Sequence, residues 1–213
     1  MVSSQEDIEI VRQFVKVAPN RYRIHLFIEM GTVAPKMIIE FNQSNPNVFI
    51  HLVGFIDKAE PVLKDYYHEI LLIDEKSLVT IMSHTDINIG KLIPLYNGDM
   101  NFFWKQAKIK KEDILKIEKN DIFIHQRLNP HFYGKLFVRP DGTVSDSHLG
   151  YTLGVIDDMI HTIVYREVKS KGAWFLTRDY TSCKKCRFKY LCPSPSYYEL
   201  FLDKYDICFL SNH

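Results

Sequence analysis

All four cysteines of this 213-residue chain lie between Cys183 and Cys208, in the spacing C-x2-C-x5-C-x15-C. Four thiolates satisfy either a tetrahedral zinc ion or a four-iron cluster. Cys183 and Cys186, two residues apart, can grip one centre across a tight turn. Cys192 returns after a short excursion, and Cys208 arrives from a later segment. Three chemistries compete for this set: disulfides in one of the three pairings that four cysteines allow, a zinc site, and an iron–sulfur cluster. The opening "MVSSQEDIEIVRQF" has neither the basic start nor the apolar run of a secretory signal. The expected compartment is therefore cytoplasmic, where thiols stay reduced and clustered cysteines serve metals or chemistry rather than disulfides. Spacing alone does not separate zinc from iron–sulfur. Lys184, Lys185, Arg187 and Lys189 crowd the ligand loops. They would offset the negative charge of either centre, or they form an ordinary solvated face.

The rest of the chain must position those thiols. Lys and Arg number 27 against 26 Asp and Glu, so no net positive field exists to hold nucleic acid at physiological salt. No apolar stretch approaches the roughly 20 residues that span a bilayer. Ser3 and Glu6 offer a capping box for a first helix that stops before Pro19. "YRIHLFI" (Tyr22 to Ile28), "VFIHLVG" (Val48 to Gly54), "HEILLI" (His68 to Ile73) and "KLIPLY" (Lys91 to Tyr96) read as strands. Between them fall a helix over Ala34 to Gln43 and one opened by Asp74. Nearly continuous apolar strands joined by helices predict a parallel sheet covered on both faces. Four strands are too few for a closed barrel, so an incomplete parallel βα, partial-barrel-like domain is the expected α/β architecture.

Beyond it, Asn97 to Asp121 reads as a charged connector, whose run Lys108 to Asp121 is a solvated helix face. A hairpin turns at Pro140 to Gly142. An amphipathic helix succeeds it, with Ile156, Ile160, Ile163, Val164 and Val168 on one stripe and Gly172 as its stop. The domain boundary is placed near residue 130, dividing the chain into 1–130 and 131–213. His25, His51 and His68 fall in or beside strands, the ordinary setting of a core or edge histidine. The aromatics of "NFFWKQ" and "AWFLTRDY" read as packing rather than as a peptide groove. Pro193 and Pro195 hold an extended path after Cys192, and a helix around "SYYELFLDKY" could bring Cys208 back.

The stretches "GKLFVRPDG", "VYREVKSKGAWFLTRD" and, most specifically, "CRFKYLCPSPSYYE" resemble the SPASM domain. This is the C-terminal auxiliary-cluster domain of many radical S-adenosylmethionine (SAM) peptide-modifying enzymes. The family pattern C-x2-C-x5-C-x3-C with a last distant cysteine assigns one cluster to the first three cysteines and the final one. Carried over, these are Cys183, Cys186, Cys192 and Cys208. The family's next cysteine would fall at Ser196, and it serves a second cluster whose upstream ligands are also missing from "YGKLFVRPDGTVSDSHLGYTLG". The resemblance therefore implies a small cysteine-rich SPASM-like α+β domain holding one [4Fe-4S] cluster, with zinc as the alternative.

The C-x3-C-x2-C that holds the catalytic cluster of radical SAM enzymes occurs nowhere before Cys183. Nothing upstream can supply the three thiolates that chemistry requires. The closest likeness is to pseudo-radical-SAM proteins of ribosomal-peptide maturation systems, with a front half shortened or missing. The resemblance implies a non-catalytic helper that binds a precursor peptide or a partner peptide-modifying enzyme, with no nucleic-acid or membrane partner. An electron-transfer component using the same cluster, or a zinc-stapled interaction domain, are the alternatives.

Overall fold

A computed structural model describes residues 1–17, 23–84, 86–96, 99–208 and 210. The chain divides into two compact units, Met1–Gln106 and Ala107–His213.

The first unit is α/β. Its elements run α1 (Gln5–Val17), β1 (Ile24–Glu29), α2 (Pro35–Ser44), β2 (Val48–Gly54), β3 (Tyr67–Leu72), α3 (Glu75–Met82), β4 (Ile89–Pro94) and α4 (Met100–Ala107). The four strands form one parallel sheet in the order β1-β2-β3-β4, the arrangement that successive right-handed crossovers produce. Pro35 sits in the first turn of α2, where its missing N–H removes no helical bond. The Asp74 carboxylate accepts from Ser77 N at 2.9 Å and opens α3; that bond holds its carboxyl below the usual carboxylate range. The α1 cap differs from the expected pair. Asp7 Oδ2 accepts from Ser3 N and Ser4 N, and Ser4 Oγ accepts from Asp7 N, so the box uses Ser4 and Asp7, one residue out of step with Ser3 and Glu6. Val2 exchanges backbone bonds with Phe27 and Glu29 and lines the outer edge of β1. Tyr22, Pro19 and Asn97 lie outside the described residues.

The core lies on one face of this sheet. Leu26, Ile28, Ile50, Leu52, Ile70 and Leu72 pack with Ile8, Ile38, Phe41 and Ile81. The opposite face departs from the expectation of cover on both sides: Phe49 is 50% and Tyr67 39% exposed, and His25 and His51 share that face with them. His68 points the other way and is fully buried. Its Nδ1 meets Tyr66 O at 2.7 Å, and burial keeps it from charging in the usual range.

The second unit begins earlier than residue 130. The expected connector is largely helical: α4 precedes α5 (Lys111–Leu115) and α6 (Lys119–His125), the latter two opened by Asp113 and Asp121 at the third helical position. Its later part is tied to the C-terminal segments. Ile109 bridges Cys208. Asn129, fully buried, donates its side-chain amide to Leu176 O at 3.2 Å and Pro195 O at 2.9 Å. These bonds give residues 107–130 more to hold on the C-terminal side than on their own.

The predicted hairpin is present as β5 (Phe137–Val138) and β6 (Thr143–Ser145), with Gly142 at φ +79° in the turn. A third strand, β7 (Thr152–Val155), extends it over residues just ahead of the expected helix. That helix, α7 (Ile160–Ser170), is shorter than predicted. Of its proposed stripe Ile163 is buried and Val168 is 49% exposed, because Glu167 takes the inward place on the next turn. Phe132, Ala173 and Trp174 form one apolar cluster, Val144, Leu153 and Ile163 another, and Leu136 packs against both. The short helix α8 (Tyr197–Leu202) closes the fold. Among the described residues no helix is long and apolar enough to cross a membrane.

Candidate metal centre

The four thiols sit on three short pieces of backbone. Cys183 lies in a 3-10 turn, Ser182–Lys185, opened by Thr181 Oγ1, which accepts from Cys183 N at 3.2 Å. Cys186 ends that turn and returns its N–H to Cys183 O at 2.8 Å. Cys192 comes after a second turn, its N–H on Phe188 O, and is buried, whereas Cys183, Cys186 and Cys208 are half-buried. Pro193 and Pro195 then carry the chain to Ser196. There Ser196 Oγ accepts from Glu199 N and Glu199 Oε2 accepts from Ser196 N, a capping box that starts α8. Asp203 takes a left-handed conformation at φ +48° and ends it, turning the chain back towards Cys208.

Arg178 joins these pieces. Its Nε donates to Pro193 O at 3.0 Å, next to Cys192. Its Nη1 donates to Tyr205 O at 2.8 Å, the same carbonyl that accepts from the Cys183 thiol at 3.0 Å. Nη1 and Nη2 grip both Glu199 oxygens at 2.5 and 2.9 Å. Arg178 and Glu199 are 2% and 1% exposed. Burial opposes a charge on Arg178, and Glu199 more than offsets it. A bidentate pair with its remaining protons on carbonyls meets the conditions under which a buried ion pair is tolerated.

The thiols feel one another. Burial pushes Cys192 up to about 11; Arg178 works against this, and Cys186, Cys208 and Cys183 add to it. Cys183 is also raised, first by burial, with Arg178 opposing. All four cysteines are free of disulfides. Among the described residues no group of three or more His, Cys, Asp or Glu side chains is arranged to hold a metal ion. Four thiols outside any disulfide, on loops near one buried guanidinium, fit a thiolate-bound metal in donor type. Lys184, Lys185 and Arg187 are exposed, and Lys189 is committed to Asp179 at 2.6 Å.

The cation that matters electrostatically is thus Arg178, which sequence reasoning missed. Its partner Glu199 was visible as the fourth residue of "SYYE", an S-x-x-E capping signature. Nothing local marks Arg178, whose contacts are all made through long loops. Ser196 takes a structural role as a helix cap, and Ser194 is buried with its Oγ towards Leu128 O at 3.4 Å.

A cavity of about 460 Å³ in the second unit is lined by Leu128, Phe175, Thr177 and Tyr180 among others. Trp174 belongs to the core, and its Nε1 donates to Lys135 O; Phe102 and Phe103 are buried too. No family model, curated protein or solved structure matches the chain.

Proposed function

We propose that the chain is a non-catalytic helper in the maturation of a ribosomally made peptide, and that its C-terminal unit is a SPASM-like module stapled by one metal centre. Cys183, Cys186, Cys192 and Cys208 would hold that centre as a [4Fe-4S] cluster, which would supply cross-linking strength and, if reducible, an electron. The observation that carries the reading is the Arg178–Glu199 clamp. One buried ion pair binds the carbonyls beside Cys192 and upstream of Cys208, and so joins the segments that carry these two cysteines. The first unit, a parallel βα sheet with no cysteine of its own, suits a partial-barrel remnant that binds rather than reacts. The cavity beside Thr177 and Tyr180 is a place for a segment of a precursor peptide or of a partner peptide-modifying enzyme.

Purification without oxygen tests the metal. The expected protein is brown, absorbs broadly near roughly 400 nm, carries about four irons per chain and gives an electron paramagnetic resonance signal on reduction. Colourless protein with stoichiometric zinc would replace the cluster by a zinc staple and leave an interaction module. A Cys186→Ala chain separates structure from redox: a staple predicts loss of the C-terminal unit while the first unit stays folded. Three half-buried cysteines also favour a second reading, an electron-transfer component, which fails if dithionite does not reduce the centre.

A further inference from the structure

Neither the core nor the cysteine centre uses a polar row on the open face of the parallel sheet. His25 on β1, His51 on β2 and Glu69 on β3 meet across three adjacent strands. His25 Nδ1 lies 2.8 Å from His51 Nε2, and His51 Nδ1 lies 3.1 Å from Glu69 Oε1. The parallel register pairs Phe27 with His51 and Val53 with Glu69. Each step of the row therefore runs diagonally, two residues further along at every strand. Aromatic rings fix the imidazoles: Phe27 stacks on His51 at 4.5 Å, Tyr67 meets it edge-on at 5.0 Å, and Phe49 stacks on His25 at 5.3 Å. The side chains of His51 and Glu69 are 14% and 10% exposed, whereas His25 is exposed.

With Glu69 ionised, hydrogen-bond chemistry sets the tautomers. An ionised carboxylate only accepts, so His51 carries its proton on Nδ1 and offers a lone pair at Nε2. His25 Nδ1–H fills that lone pair. One proton thus sits between imidazole nitrogens of neighbouring strands, and the inner imidazole is oriented by a carboxylate. This is the arrangement that supports metal-binding histidines, which give their second N–H to a carboxylate. Two nitrogens bound tetrahedrally at about 2.0–2.1 Å stand about 3.3 Å apart. Opening the 2.8 Å gap by roughly half an ångström replaces the proton with an ion.

We propose that His25 Nδ1 and His51 Nε2 chelate a divalent transition-metal ion of the zinc or nickel class, with Glu69 holding His51 in place. Two imidazoles select such ions over magnesium or calcium. Water completes the coordination on the side where His25 is exposed, leaving positions open to an incoming carboxylate or imidazole. Lys91 stands in register with Glu69 on β4. The site is separate from the cysteines and does not depend on what they bind.

The test is a calorimetric zinc titration of the full chain with its thiols already loaded, near pH 7.5. One further equivalent is expected. His51→Ala and His25→Ala each abolish it, Glu69→Gln weakens it about 10-fold or more, and lowering the pH below the histidine range suppresses it because protons compete for the same lone pairs. Nitrogen-15 spectra of the histidine rings must shift at two imidazoles when zinc is added. His25→Gln, at an exposed position, serves as a second variant where alanine disturbs folding. An extra equivalent that persists in His25→Ala or His25→Gln with unchanged affinity, or no binding beyond the thiols in the unmutated chain, overturns the assignment.

Discussion

Glu167→Gln should free the second unit from a pH-dependent weakness. Glu167, on α7, is fully buried and faces Asp146, itself 3% exposed. Glu167 Oε1 accepts from Trp174 N at 3.0 Å, and Asp146 Oδ2 accepts from Ala173 N at 2.5 Å. Glu167 Oε2 has no hydrogen-bond partner in the ionised form. Burial raises the Glu167 carboxyl from 4.5 to about 7; the Trp174 N–H opposes the rise, and the Asp146 charge reinforces it. In the unfolded chain the same group releases its proton near its ordinary value. Between the two values the folded state binds the extra proton, so stability falls as pH rises. The contribution is fully present below about 4.5 and is lost through about 7. At about 1.4 kcal/mol per pH unit the full loss is about 3 kcal/mol, a change in melting temperature on the order of 10 °C. Glutamine keeps an acceptor for Trp174, gives an N–H to Asp146, and has no proton to lose. Urea unfolding of both proteins between about pH 5 and pH 8 should therefore show a steeper decline for the unmutated chain, with the variant the more stable at the alkaline end. The difference between the two curves removes the titrating groups that do not interact with Glu167. Parallel curves would refute the account of Glu167 as a carboxyl that burial keeps protonated.

The second unit yields two more expected outcomes. Glu199→Gln leaves Arg178 buried without its countercharge and should cost roughly 3–5 kcal/mol in urea unfolding; a loss below about 1 kcal/mol would remove the clamp from its central place. Gly172→Ala should cost about 1–3 kcal/mol by overpacking, since a Cβ there would collide with Asp146 Oδ2 and Glu167 Oε2, and an unchanged melting temperature would show that the two carboxyls have room to part.

How far the chain announces its own structure varies by element. Val48–Gly54 needs no tertiary help to be read as a strand, because it is enriched in β-branched and apolar residues on both faces, and its observed bounds agree. Asp74 and the Pro140–Gly142 turn are equally local, one a side chain on a nearby N–H and the other a glycine at positive φ. The first helix cap slipped by one because both Ser3/Glu6 and Ser4/Asp7 satisfy the same pattern, and only geometry chooses between them. The third strand of the small sheet escaped because it is short and its last residue, Val155, was absorbed into the expected helix. The helical character of the connector was legible, and its division into two short helices follows from caps at Asp113 and Asp121. For the candidate centre, the thiols are plain in the sequence. Arg178 and Glu199, 21 residues apart, are joined only by the course of the intervening loops. The row from His25 to Glu69 depends on strand register, which no single segment encodes.

Asp146 is wedged between two glycines, with one carboxyl oxygen where a Gly150 side chain would begin and the other where a Gly172 side chain would begin. These three positions therefore constitute one unit of inheritance. A larger side chain at either glycine should be better tolerated where the aspartate has already shortened, and Gly172 is crowded by Glu167 as well. Exchange at these sites should be epistatic, so combinatorial libraries gain by varying the three together.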